Sequence, residues 1–318
     1  MKIFGIETSC DETSVAVVEN GKKVLSNVIV SSLNEHKKYG GIIPEIASRR
    51  QLESIQLVAG KALEGANLKL KDIDAIAVTQ KPGLIGSLLV GISFARALKF
   101  AIARPLLEVN HIQAHLYANF LVQKNEHNKI LPHLPVIGLV VSGGHTSLYY
   151  IKTFQDFKLI GATRDDAAGE AFDKVARILN LGYPGGPVID KLSQQSQEPA
   201  IPFKCADMPN TFDFSFSGIK TAVLYHYRDN HKKKNFSQKA VCHGFQKSVV
   251  SVLVKKSLAA CYKFKTPTIV VGGGVAANSA LRKVLVEEAG KENIKVYFPP
   301  LSLCLDNAAM IAGLGYHL

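Results

Sequence analysis

The chain has no tryptophan and only three methionines in 318 residues. Any stacking on nucleic-acid bases therefore falls to tyrosine or phenylalanine. Its five cysteines, at 10, 205, 242, 261 and 304, include no C-x-x-C pair and no regular spacing. This argues against a disulfide framework and against a cysteine-built zinc site, and makes a reducing cytosol the simplest compartment. Acidic residues are also scarce, 26 against 38 lysines and arginines, for a formal charge of +12. Such a surplus points to a polyanionic partner, nucleic acid first, with clusters at Lys22-Lys23, Lys37-Lys38, His231 to Lys234 and Lys255-Lys256. There is no low-complexity tract, so the chain reads as globular throughout. A signal peptide is not expected either, because Glu7 falls inside what would be its apolar core. The most apolar stretch, residues 83–103, contains Arg96 and Lys99 and opens on the turn Pro82-Gly83. It reads as a buried helix, and no membrane association is expected.

What the chain does have is a repeat. Residues 3–18, IFGIETSCDETSVAVV, return at 136–151 as VIGLVVSGGHTSLYYI, with Gly5, Ser9, Thr13 and Ser14 falling on Gly138, Ser142, Thr146 and Ser147. Each copy reads as two apolar strands around a small polar turn. A duplicated hairpin implies a duplicated lobe, and the length suits two domains. Two such turns facing a cleft would present backbone N–H groups and hydroxyls to a phosphate, which predicts a two-lobed binder of a nucleotide or acyl phosphate.

Strands and helices alternate after the first hairpin. A third strand starts near Lys22, a helix opens at Pro44, and residues 74–81 form a buried strand before the apolar helix. The second lobe repeats the plan, with a third strand near 157–161, a helix from Asp165 capped by Gly182, and strand, glycine turn and helix from Thr266. Residues 122–135, polar with two prolines, read as the linker between lobes at 1–125 and 136–304. The last segment, from about 305 to 318, reads as a helix returning to the first lobe.

Three constellations carry chemistry. His111 and His115, at i and i+4, share one face of a helix and can converge on a divalent ion, with Asp306 as a third ligand or simply as a helix cap. Two histidines and a carboxylate leave positions open and suit Zn²⁺ or Fe²⁺ better than Mg²⁺. A zinc protease of the H-E-x-x-H type is disfavoured, because Ile112 stands where its glutamate is needed. Next, Gly272-Gly273-Gly274 ends a buried strand and leads to Asn278, which can hydrogen-bond an adenine edge or a ribose. Finally, Asp173 and the rigid turn from Tyr183 to Pro187 could meet ribose hydroxyls, though Asp173 with Arg177 could equally be a surface ion pair. Cys10 reads as a small buried thiol rather than a nucleophile.

Taken together, GIETSCDETSVAVV, GGIIPEIASR, NHIQAH, VVSGGHTSL, DDAAGEAFDKVARILNLGYPGGPVIDKL, FDFSFSGIKTAV, GGGVAAN and CLDNAAMIA resemble the TsaD family, over about residues 3 to 316 and in the family's order. The resemblance implies an α/β fold of the actin/Hsp70/sugar-kinase type (ASKHA), with two duplicated lobes, a mixed sheet in each and a cleft between them. It implies transfer of a threonylcarbamoyl group from threonylcarbamoyl-AMP to N6 of adenosine 37 in tRNAs reading codons that begin with A. It also implies one divalent ion per subunit, Fe²⁺ or Zn²⁺, on His111, His115 and Asp306. The adenylate would lie on Val140, Val141, Ser142, Gly143, Gly144, Asp173, Gly186, Asp190 and Asn278. Partners would be tRNA and the TsaB and TsaE proteins, in the cytoplasm, with the apolar helix as a docking surface. The chain departs from the family pattern at Gln51, Gln113 and Leu305, none of them a proposed ligand, which bears most on hydrogen bonding around the metal.

The chemistry fits these parts. Threonylcarbamoyl-AMP is a mixed anhydride, so orientation and charge stabilisation are the main tasks. The adenine amine is a weak nucleophile, and Asp11 or Glu12 could accept its proton, with His145 as another candidate. Asp11 and Glu12 could also serve only as turn residues. Two other classes remain open on the same residues: an ATPase or small-molecule kinase of this fold, and a nucleotide-dependent scaffold.

Overall fold

In the computed structural model, residues 1–123, 126, 129–206 and 208–318 are described, so part of the expected linker lies outside the described residues. The chain divides into two compact units, Met1–Pro132 with Pro299–Leu318, and His133–Phe298. The first contains β1 (Lys2–Glu7), β2 (Glu12–Glu19), β3 (Lys23–Ser31), α1 (Leu33–His36), α2 (Pro44–Ala66), β4 (Ala75–Lys81), α3 (Ile85–Ile102), β5 (Leu106–Asn110) and α4 (His111–Tyr117). The second contains β6 (Val136–Val141), β7 (Thr146–Thr153), β8 (Asp156–Ala162), α5 (Ala168–Ile178), α6 (Gly185–Gln194), α7 (Ser217–Asn230), α8 (Gln238–Phe264), β9 (Thr268–Gly272), α9 (Ser279–Lys291) and β10 (Lys295–Tyr297). A last helix, α10 (Ala308–Gly315), belongs to the first unit.

The repeat in the sequence is a repeat in topology. The first sheet runs β3-β2-β1-β4-β5 and the second, read from its other end, β8-β7-β6-β9-β10. In each, a hairpin and its third strand are antiparallel, and the first hairpin strand pairs in parallel with the next strand: β1 with β4, β6 with β9. This is the actin/Hsp70/sugar-kinase-like α/β fold. The central strands are covered on both faces, so β6 is buried along its whole length and reads as an unbroken apolar run. Parallel neighbours end at the same sheet edge, which brings the loops after β1, β4 and β5 together, and likewise those after β6 and β9.

α10 is buried at every residue and lies on β1 and β2. A Cβ on Gly5 would come 2.4 Å from the Ala308 carbonyl oxygen, so only glycine permits the approach. The Ala308 N–H donates to Ser14 Oγ at 2.9 Å.

Two expectations need correction. Residues 83–103 are not a buried helix: in α3 only Ser87, Gly91 and Ala95 are buried, while Ile85, Leu89 and Phe100 are 79%, 57% and 87% exposed. The reason is steric. α3 turns its small residues inward, where a Cβ on Gly91 would already lie 2.3 Å from Thr8 Oγ1, so Val90, Ile92, Phe94, Leu98 and Ile102 flank that contact half-buried against the core and Ile85, Leu89 and Phe100 stay outside. By length and composition α3 could cross a membrane, but its inner face packs on β4 and α2. α5 also ends early, at Ile178, and the left-handed residue next to its end is Asn180 (φ 55°), while Gly182, two positions on, has a positive φ of 87° as well.

Candidate active site

His111 begins α4 because Asn110, the last residue of β5, caps the helix. Its Oδ1 accepts from the N–H groups of Ile112 and Gln113 at 3.0 and 3.1 Å. The i, i+4 spacing then places both imidazoles on the inner face, their rings edge to face with centroids 4.6 Å apart. Asp306 arrives from just before α10. It does not cap that helix: Asn307 does, accepting from Met310 N at 3.1 Å, and the Asp306 carboxylate is left to face the histidines. One Asp306 oxygen lies 3.6 Å from His111 Nε2 and 3.1 Å from His115 Nε2.

The ligand atoms of these three residues all lie within 4.8 Å of one another. Neither ring nitrogen of His115 makes a hydrogen bond, although both are buried. The 3.1 Å approach to Asp306 therefore has the distance of a hydrogen bond without its angle. Buried polar atoms left in this way cost free energy unless something else takes their lone pairs. A divalent ion does so, and the donor set fits one.

Glu7 completes the arrangement and was not singled out as part of it from the sequence. It is fully buried at the end of β1, where its Oε2 meets His111 Nδ1 at 2.9 Å and accepts from Thr79 Oγ1 at 2.6 Å. Its other oxygen accepts from Ser9 N, and Ser9 Oγ lies 3.1 Å from His111 Nδ1. An acid facing Nδ1 holds the proton there and leaves Nε2 as the lone-pair donor, the arrangement typical of metal-binding histidines. Burial alone would lower the His111 pKa, but Glu7 and then Asp306 outweigh it and hold it up at about 9.

The first turn is tied down from several sides. Gln51, buried in α2, donates from Nε2 to the carbonyls of Cys10 and Glu12, both at 2.9 Å, and more weakly to that of Thr8 at 3.4 Å. Ser32 Oγ donates to the Asp11 carbonyl and Ser87 Oγ to that of Cys10. Asp11 and Glu12 are thereby held beside Asp306. Burial, then the charges of Asp306 and Asp11, push the Glu12 carboxyl up to about 10. The Cys10 thiol is pushed far above its usual range, by burial first and then by Asp306, Asp11 and Glu12, which removes it as a nucleophile near neutral pH.

The matching turn of the second unit is open. Ser142 N donates to the His145 carbonyl at 2.8 Å and His145 N to Ser142 Oγ at 3.1 Å, closing a turn that exposes Gly143 and Gly144. Val140 and Val141 lie in buried β6. Gly273, at φ 94°, runs so close that a Cβ would meet the Val141 carbonyl oxygen at 2.4 Å, and a Cβ on Gly169 would meet that of Ser142 at 2.6 Å. Asp173 is half-buried and accepts from Gly185 N at 2.7 Å at the start of α6. Gly186 follows with open space where a side chain would be. Burial raises the Asp173 pKa against the opposing pull of that N–H and of Arg177. Asn278 caps α9 by accepting from Leu281 N, and its Nδ2 donates to Gln246 Oε1 at 2.9 Å. Gln246 Nε2 in turn reaches Asp190 at 3.0 Å, and Asp190 accepts from Ser279 N and Oγ.

The model of one protein family, TsaD, tRNA N6-adenosine threonylcarbamoyltransferase, matches residues 23–313. The chain belongs to this family. A curated relative from Clostridium botulinum (strain Hall), named tRNA N6-adenosine threonylcarbamoyltransferase, is 53% identical over 99% of this chain and 92% of its own length. One of the same name from Caldicellulosiruptor bescii is 49% identical over the same shares. Among solved structures, HypF in its phosphate- and nucleotide-bound form matches 99% of this chain and 46% of its own, at 14% identity and TM-score 0.63. Component A of the Acidaminococcus fermentans (R)-2-hydroxyglutaryl-CoA dehydratase matches 100% and 98% at 16% identity and TM-score 0.59. These two structures show the fold alone.

Membership makes the chain a transferase that forms threonylcarbamoyladenosine in tRNA. Relative to that role, the sequence missed Glu7 and Gln246. Each had a visible signal: Glu7 is a charge inside an apolar strand, and Gln246 a polar residue in the apolar face of α8.

Proposed function

We propose that this TsaD chain transfers the threonylcarbamoyl group of L-threonylcarbamoyl-AMP to N6 of adenosine 37 in tRNAs reading ANN codons. The observation that carries this, beyond family membership, is the set of buried His111 and His115 with half-buried Asp306, in which the His115 imidazole makes no hydrogen bond. These three residues would hold Fe²⁺ or Zn²⁺. Bound there, the ion supplies Lewis-acid stabilisation of negative charge and favours ionised carboxylates nearby.

The remaining work falls to the chain's own side chains and backbone. Exposed N–H groups at Gly143 and Gly144 suit phosphoryl or acyl oxygens, with Val140, Val141 and Ser142 as their rigid base. Asp173, Gly186, Asp190 and Asn278 are the residues proposed to hold the ribose and adenine. In the transfer, the N6 lone pair forms a bond to the carbamoyl carbon, the carbon–oxygen bond to phosphate breaks, and AMP leaves with that electron pair. N6 gives up a proton, for which Asp11, Glu12 and His145 are the candidate acceptors. TsaB and TsaE are the proposed protein partners. The exposed apolar side chains of α3, with Leu52 and Leu57 of α2, offer TsaB a surface. We place the reaction in the cytoplasm.

Single-turnover transfer of labelled threonine from preformed threonylcarbamoyl-AMP to unmodified tRNA, with partners present, tests the reading. Transfer by the wild type, lost in folded His115→Ala, is the expected result. Absence of transfer by the wild type, with steady ATP turnover or retained nucleotide binding instead, would overturn it.

A further inference from the structure

A basic groove lies in the second unit, lined by residues not assigned a role so far. A cavity of about 430 Å³ opens between α8 and residues 200–206. It is built rather than incidental. At Gly244 the helix approaches so closely that a Cβ would meet the Ile201 carbonyl oxygen at 2.2 Å. Ser248 Oγ donates to the Phe203 carbonyl at 2.6 Å, and buried Lys256 donates to the carbonyls of Met208 and Thr211, both at 2.6 Å. These ties fix the facing segment along α8.

Lys204, Lys247 and Lys255 line the cavity with Ser248 and Ser251, and no described lining residue is acidic. The three lysines are exposed and form no ion pair among the described residues. Three exposed ammonium groups around one groove, without an ion pair among the described residues, suit an anion. Its length says which kind. Lys247 and Lys255 are two helical turns apart, about 12 Å along the axis, too far to converge on one phosphate and suited to successive phosphates of a polyanion. Phe203 is the single aromatic residue in the lining, and its ring already meets His226 edge to face, so the groove offers charge rather than base stacking. It also starts one residue from Gln246, whose side chain joins Asp190 to Asn278.

We propose that this groove holds the sugar–phosphate backbone of the substrate RNA, with Lys204, Lys247 and Lys255 each meeting a phosphate. The proposal rests on the reading of the chain as a tRNA-modifying enzyme. The contact positions the RNA without reading its sequence.

The test is the full chain with its partners, wild type against K204A/K247A/K255A and K204R/K247R/K255R, binding an unmodified tRNA transcript over a salt series. Each phosphate contact contributes about 0.7 to 0.9 to the slope of log affinity against log salt, so the alanine variant should lose roughly 2 to 3 from it. Its KM for tRNA should rise roughly tenfold or more at physiological salt, with kcat kept within about twofold and the arginine variant close to wild type. A transcript whose target adenosine is replaced by guanosine should lose affinity equally. An unchanged slope and KM with an active wild type would overturn the groove alone. A wild type that neither binds nor modifies tRNA would overturn the underlying function as well.

Discussion

Glu7 shows how one buried acid can decide what a histidine does. It faces His111 Nδ1 and is itself held by Thr79 and Ser9, so Glu7→Gln keeps the shape and removes the charge that fixes the ring. Metal affinity should fall by roughly 10- to 100-fold, measured by isothermal titration with Zn²⁺, while the far-ultraviolet spectrum stays unchanged. Wild-type affinity in this variant would show that Glu7 does not orient the ligand. The same scale shows what could be read in advance. His111 and His115 announce themselves by spacing. Asp306 could not be told from a cap until Asn307 was seen to take that role, because two adjacent side chains, each able to accept the same N–H, look alike in a sequence. Glu7 was visible as an oddity, but its partner lies across two strand pairings, a distance that no local pattern encodes.

At the level of elements, the motifs around 165 and 215 support one another. Asp165 Oδ1 accepts from the N–H groups of Phe216 and Ser217 at 2.8 and 3.3 Å, so an acid from one loop caps α7 from outside its own segment. Asp165→Ala should cost about 0.5–2 kcal/mol, read as a lower midpoint in urea, and an unchanged midpoint would show the cap to be idle. Its neighbour Asp166 pairs with Lys174 of α5 and Lys220 of α7. Burial pulls its pKa upward, but the two lysines outweigh that and hold it below the usual aspartate range. The folded pKa is therefore lower than the unfolded one. This contribution is present above about pH 4 and lost as pH falls through the folded value. The stability gap between wild type and Asp166→Asn should close on acidification; a gap independent of pH would contradict it. Hairpins, helices and their order were legible because apolar periodicity sets them. The facing of α3 was not: its composition says apolar, and only the close approach of Gly91 to Thr8 shows that small residues make the innermost contact and leave Ile85, Leu89 and Phe100 exposed.

For the whole molecule, the duplicated topology was legible from four identical positions, because a lobe built on a hairpin must continue it in the same way to bury both faces of the sheet. The metal set belongs to this scale too, since its ligands come from α4 and from the segment before α10. An ion bound only by the folded state stabilises by about 2.7 kcal/mol at a free concentration 100 times its Kd. Adding Zn²⁺ should accordingly raise the melting temperature of the wild type and leave Asp306→Ala nearly unmoved, as followed by calorimetry. Equal shifts in both would place the ion elsewhere.

The return of α10 to the first sheet also sets a timetable. On the ribosome, residues 1–132 emerge before the second unit, yet the helix that fills the space against Gly5 and bonds Ser14 follows that unit. The nascent first lobe must wait with an apolar sheet face uncovered, while the second, continuous from 133 to 298, has all its segments to hand before residues 299–318 appear. Asp306 travels with that returning segment, so a growing chain acquires its third metal ligand only after the whole second unit has been made.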